Sequence, residues 1–228
     1  MSGPALLAVA HGSSHPAAAA AVTALAAQVV RLAPVIDIRL AFVQHAEPSV
    51  ADGLAAAGRD VVVIPLLLST GYHLSTDIAK AASDAGLPPS RIAGPLGPDP
   101  LLVTAIVARL AEAGVPAGTP IVLAAAGSSD PAAAAEVSRQ AEWLADSLSV
   151  PVLAAFAAAG GPTPAQAVAE LRSRTAGPVA VASYLLAPGQ FHDRLAQSGA
   201  DWVTAPLGAN PAVAGLVIDR YRATTRSS

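Results

Sequence analysis

Residues 6–22 read LLAVAHGSSHPAAAAAV, and residues 121–137 read IVLAAAGSSDPAAAAEV. Each begins with an apolar run of strand length, turns at Gly-Ser-Ser and enters an alanine-rich stretch behind a proline. Three further pairs of blocks follow in the same order. AFVQHAEPSV (41–50) corresponds to AFAAAGGPTP (155–164), and VVVIPLLLSTG (61–71) to VAVASYLLAPG (179–189). GPLGPDPLLVTAIVARLAEA (94–113) is echoed by APLGANPAVAGLVIDRYRA (205–223), about 111 residues later. Four matched blocks in one order make the chain two tandem copies of one unit. The Pro and Gly of VPAGTP (115–120) mark the connection. The expected domains are therefore 1–115 and 116–228.

Within each copy, strand and helix patterns alternate. In the first, residues 5–10 make a buried apolar strand and 16–32 carry Ala, Val and Leu at helical spacing, with Ser13 and Ser14 available as caps. IDIRLAFV (36–43) is a β-branched strand, PSVADGLAAAG (48–58) a short helix, and VVVIPLLL (61–68) a fully apolar strand. TDIAKAASDAG (76–86) and PDPLLVTAIVARLAEAG (98–114) read as helices. Strands apolar throughout, in βαβ alternation, imply a parallel sheet covered on both faces. The fold class is α/β: two tandem three-layer α/β/α units with parallel sheets.

Composition narrows the function. The 228 residues are 53% hydrophobic and only 13% charged, with a formal net charge of −3 and no basic run, which argues against nucleic acid and membrane surfaces as partners. The chain has no cysteine, which excludes disulfides, zinc ribbons, iron–sulfur clusters and thiol nucleophiles. MSGPALLAVAHG lacks the basic start of a signal peptide, and VVVIPLLL is far short of a membrane span. A cytoplasmic protein is expected. Neither a Walker A sequence, a G-x-S-x-G elbow nor a G-x-G-x-x-G fingerprint is present.

In open parallel sheets, ligands collect beyond the carboxyl ends of the strands. His11, Glu47 and His73 all follow strands of the first copy directly. The second copy serves as an internal control. Opposite His11 stands Ala126, yet Gly127, Ser128 and Ser129 survive, so the turn is common to both copies and the imidazole is dispensable to it. Gly161 takes the place of Glu47, whose bland reading is a carboxylate favouring the next helix start. With Gly71 set against Gly189, the preferred anchor, Phe191 takes the place of His73 and His192 is left as a remnant or a substrate contact; set by the aromatic residue instead, Tyr72–His73 pairs with Phe191–His192. His15 pairs with Asp130, each before a proline, as capping residues would; His45 pairs with Ala159. Two imidazoles and one carboxylate suit a borderline divalent ion such as Fe²⁺, Co²⁺ or Ni²⁺, with coordination positions left open.

AHGSSHP at the first strand end, AFVQHAEPSV, and PLLLSTGYHLSTDI together resemble the ATP-independent, class II tetrapyrrole chelatases, the sirohydrochlorin chelatases of siroheme and cobalamin synthesis, in their two-repeat form. The resemblance runs over nearly the whole chain. It implies a macrocycle held in a cleft between the halves, with His11 and His73 handling the metal and Glu47 assisting. The metal is then a substrate, Fe²⁺, Co²⁺ or Ni²⁺, with no permanently bound cofactor. Gly12, Ser13, Ser14, Gly71, Tyr72, Gly127, Ser128, Gly189 and His192 are the expected tetrapyrrole contacts, with Arg194 a further carboxylate partner. Relatives often carry a second acidic residue near Glu47, where this chain has Gln44. One active site per chain is expected, in a monomer, because the duplication already supplies both halves. A metal or tetrapyrrole carrier on the same fold is the competing reading; a flavodoxin-like nucleotide module is disfavoured for want of a phosphate loop.

Overall fold

The computed structural model describes residues 3–71 and 73–226, with the side chains of 73–75 outside the description. The first copy opens with strand β1 (Ala5–Ala10), helix α1 (Pro16–Leu32), β2 (Ile38–Phe42), α2 (Val50–Ala57) and β3 (Val61–Pro65). A π-helical turn (His73–Ile78) runs into α3 (Ala79–Asp84), and a 3₁₀ turn (Pro89–Arg91) precedes α4 (Pro100–Glu112). The second copy repeats the order: β4 (Ile121–Ala125), α5 (Pro131–Leu148), β5 (Val152–Phe156), α6 (Pro164–Thr175), β6 (Ala180–Tyr184), α7 (Gln190–Leu195), β7 (Trp202–Val203) and α8 (Pro211–Arg226). Among the described residues, no helix is long and apolar enough to cross a membrane.

Both sheets are parallel, ordered β2-β1-β3 and β5-β4-β6-β7. Their central strands are buried along their whole length, which is what aliphatic runs without polar alternation require. On one face of the first sheet, Leu7, Val9, Val61 and Val63 pack against Val50 and Leu54 of α2 and against Ile78 and Ala82. The expected strand at 61–68 ends at Pro65, but Leu66 still donates its N–H to the Val9 carbonyl at 2.7 Å.

The compact units do not coincide with the copies. One comprises residues 1–96 and 208–228, the other 97–207, in place of the expected 1–115 and 116–228. The reason is an exchange of final helices. Helix α4, from the first copy, packs on α5 and β6, while α8, from the second, packs on α1 and β3. Matching arginines fasten both. Arg109 of α4 donates to the Leu207 carbonyl at 2.7 Å, and Arg220 of α8 donates to the Pro95 and Leu96 carbonyls at 3.1 and 2.9 Å. Charge-assisted bonds of this kind are about twice as strong as neutral ones. Fully buried Gln140 of α5 adds a two-way clamp on α4, accepting from the Asp99 N–H at 2.9 Å and donating to the Asp99 carbonyl at 3.3 Å.

A paired substitution distinguishes the two sheets. In the second unit the Ser183 N–H donates to the Thr204 hydroxyl at 2.9 Å, both residues being buried. The corresponding residues of the first are Pro65 and Ala93. Proline has no N–H, so no acceptor is needed opposite it.

Candidate functional site

β1 lies between β2 and β3, so the segments following all three strands leave the same edge of the first sheet. Ala10 pairs with Phe42, and Val9 with Pro65. Beyond that register the β1 and β2 exits stay bonded: the Val43 N–H donates to the Ala10 carbonyl and the Gln44 N–H to the His11 carbonyl, both at 3.0 Å. His11 is half-buried. Gly12, at φ 86°, sits where a Cβ would fall 1.7 Å from the Gln44 carbonyl oxygen. No side chain fits there, and the backbone conformation itself favours glycine. Gly127 repeats the arrangement in the second unit, at φ 94° with Ala159 oxygen 2.2 Å from a Cβ.

The serines of the two turns match as well. Ser13 Oγ accepts from the His15 N–H at 3.0 Å, and Ser128 Oγ from the Asp130 N–H at 3.1 Å. Ser14 is exposed. The helix caps are neither serine expected for the role. His15 Nδ1 accepts from the Ala17 N–H at 3.3 Å, as Asp130 does from Ala132 at 2.9 Å. The capping assignment of His15 thus matches its geometry. His45 occupies a left-handed backbone conformation, φ 59°, in the β2 exit, a setting uncommon outside glycine.

Glu47 lies three residues beyond Gln44, exposed, with its carboxylate accepting from the Ser49 N–H at 3.0 Å. It therefore serves the start of α2. Opposite it in the second unit Gly161 has no side chain, and a capping box takes over: Gln166 accepts from the Thr163 N–H while the Thr163 hydroxyl accepts from the Gln166 N–H. The loss of Glu47 from one copy thus has a local structural compensation.

Gly71 ends the β3 exit, and His73 begins the π-helical turn on the same edge. Tyr72 lies outside the described residues, as does the side chain of His73. Among the described residues, no group of three or more His, Cys, Asp or Glu could together hold a metal ion. In the second unit, Gly189 precedes α7, and His192 Nε2 donates to the Thr204 carbonyl at 3.1 Å. Arg194 donates to the Ala157 carbonyl at 3.2 Å and stacks 5.7 Å from the Phe191 ring centroid. Both side chains thus have partners within their own unit.

One contact was not foreseen from the sequence. Gln44 Nε2 lies 2.9 Å from His11 Nε2. The second unit keeps the main-chain bond at this point, Ala158 N–H to Ala126 carbonyl at 2.9 Å, with alanine at both positions. The frame is shared by both units; the imidazole–amide pair belongs to the first.

The profile of the CbiX family matches residues 5–113 and again 120–224. The chain belongs to the CbiX family. The two matches reproduce the internal repeat and together span nearly the whole length. A sirohydrochlorin cobaltochelatase of Methanosarcina barkeri is 28% identical over 123 residues, covering 47% of this chain and 95% of its own. SirB from Bacillus subtilis, solved with Fe³⁺, superposes at a TM-score of 0.81 with 25% identity, covering 98% of this chain and 96% of that one. The structure of CbiX, described as the terminal enzyme of siroheme biosynthesis in denitrifying bacteria, superposes at 0.73 with 29% identity over 96% and 98%. The parallel α/β architecture of this CbiX chain agrees with the two solved structures, each matched over nearly its whole length, whereas the Methanosarcina relative matches about half of this chain.

Proposed function

We propose that this CbiX protein is a sirohydrochlorin chelatase, inserting a divalent metal into the tetrapyrrole without ATP, with its one active site at the carboxyl edge of the first unit's sheet. The observation that carries the reading is the asymmetry of two equal frames. Gly12 and Gly127 make the same turn, but an imidazole follows β1 only. The names of the relatives bring sirohydrochlorin, cobalt and iron to the proposal.

Insertion must remove two pyrrole protons while an ion is delivered to the ring. A neutral imidazole offers one lone pair, which takes either a proton or a metal. His11 and His73 share these tasks, one presenting the ion while the other accepts a proton. Glu47, exposed on the adjoining exit, accepts a proton or anchors the ion electrostatically. Few and neutral ligands hold a late divalent ion loosely enough to pass it on. Fe²⁺, Co²⁺ and Ni²⁺ all suit such a set as substrates. The turns at Gly12–Ser14 and Gly127–Ser129 open helices α1 and α5, whose N-termini favour the carboxylates of the macrocycle. Gly71, Tyr72, Gly189 and His192 complete the proposed contacts.

The test is metallation of sirohydrochlorin by purified protein with each of the three ions, followed by the absorption bands of the ring. Acceleration over the protein-free rate is expected, and its loss in His11→Ala and His73→Ala with melting temperatures unchanged. Binding of the ring without acceleration identifies a carrier instead, and wild-type rates in both variants end the assignment of these residues.

A further inference from the structure

We infer that Gln44 is a positioning residue that sets the tautomer of His11, leaving the lone pair of the ring on Nε2. The inference rests on the reading of His11 as the metal-presenting imidazole. It starts from the 2.9 Å contact between Gln44 Nε2 and His11 Nε2. An amide nitrogen donates and has no lone pair to offer. His11 Nε2 is then the acceptor, and the proton of the neutral ring resides on Nδ1. The nitrogen with the lone pair is the one the amide addresses, and an incoming ion takes it by displacing the amide.

The path of the glutamine side chain is fixed by its main chain. The Gln44 N–H is bonded to the His11 carbonyl, and its own carbonyl lies against Gly12 so closely that a Cβ there would be at 1.7 Å. The two exits are thereby locked together, and the side chain returns along them to the ring. The second unit shows that this lock does not need the side chains. Ala158 and Ala126 keep the main-chain bond at 2.9 Å. An exposed glutamine tied to an imidazole in only one of two otherwise matching frames is a feature of the site, not of the scaffold.

The choice of an amide also matters chemically. A carboxylate at position 44 would accept from the ring, drawing the proton onto Nε2 and withdrawing the lone pair; it would also add a charge that holds the ion. The neutral amide does the opposite. An incoming ion displaces it, and it adds no second negative charge to that of Glu47 when the ion is released to the macrocycle.

The decisive experiment is long-range ¹H–¹⁵N correlation of the metal-free, full-length chain, with the His11 signals assigned from His11→Ala. Wild type is expected to show a pyridine-like Nε2 and a protonated Nδ1 in His11. Gln44→Ala is expected to lose that single-tautomer signature, with its melting temperature unchanged, and to lower kcat for metallation about fivefold while leaving KM for the tetrapyrrole in place. Gln44→Glu is expected to bind Co²⁺ alone about tenfold more tightly, read from its d–d absorption. A wild-type His11 protonated on Nε2, or the same tautomer in Gln44→Ala as in wild type, overturns the inference. Because the tautomer is read without metal or substrate, that result stands apart from the chelatase reading, which falls only if wild type fails to accelerate metallation.

Discussion

Replacing Thr204 by valine keeps the shape of the side chain and removes the oxygen that accepts from the Ser183 N–H at 2.9 Å. Both residues are 1% exposed, so water cannot take over the bond. An amide left unpaired in such a place costs about 1–3 kcal/mol, and a value near the middle, about 2 kcal/mol, lowers the melting temperature of a domain this size by roughly 4–8 °C. The first unit shows how the cost is avoided: Pro65 has no N–H, and Ala93, in the place of Thr204, has no side-chain acceptor. Ser183→Pro added to Thr204→Val should therefore recover most of the loss. It also removes Ser183 Oγ, which is buried with no hydrogen-bond partner among the described residues. Thermal unfolding of the wild type, Thr204→Val and the double variant reads all of this directly. Equal melting of Thr204→Val and wild type, or no recovery in the double variant, refutes the argument that the two sheets solve one hydrogen-bonding problem in two ways.

Gly12→Ala places a methyl group 1.7 Å from the Gln44 oxygen and Gly127→Ala one 2.2 Å from that of Ala159, so each should lower the melting temperature by several degrees. The first, beside His11, should also cut metallation at least tenfold, which steady-state rates will check. The Asp201 carboxyl is held below its ordinary value by the Val179 N–H and by Arg172. Its folded value lies under the unfolded one of about 3.9, so its contribution is complete above that pH and disappears as the pH falls through the folded value. Melting curves of wild type and Asp201→Asn should accordingly converge as the pH is lowered from 7 toward 3.

Much of the fold is legible because its signals are local. A six-residue apolar run followed by Gly-Ser-Ser and a proline fixes β1, the turn and the start of α1, and the second copy repeats each signal. The exchange of α4 and α8 is not legible. The two helices derive from the same ancestral segment, so either apolar face is suited to either sheet, and periodicity does not say which sheet a helix covers. Its markers are long-range: the side chain of Gln140, where α1 has Leu25, and arginines reaching carbonyls some 98 and 124 residues away. In the site, the position of His11 follows from the strand-end rule alone. Its pairing with Gln44 depends on the β1–β2 register and the lock at Gly12, neither of which a linear reading supplies. Glu47 shows the reverse difficulty. Its replacement by glycine in the copy suggests chemistry, but the structure reveals a helix-starting duty that Gln166 performs in the other unit.

The crossed assignment of α4 and α8 bears on how such a gene can change. The carboxy-terminal half has Ala126 and Gly161 where the first has His11 and Glu47, so by those positions alone it could be trimmed away. Yet it owns the helix that seals β3 and α1 beneath His11, so a deletion there would strip the working half of its cover. Each half is a lifelong lender to the other, and drift in either is tolerated only where the loaned helix still fits its host.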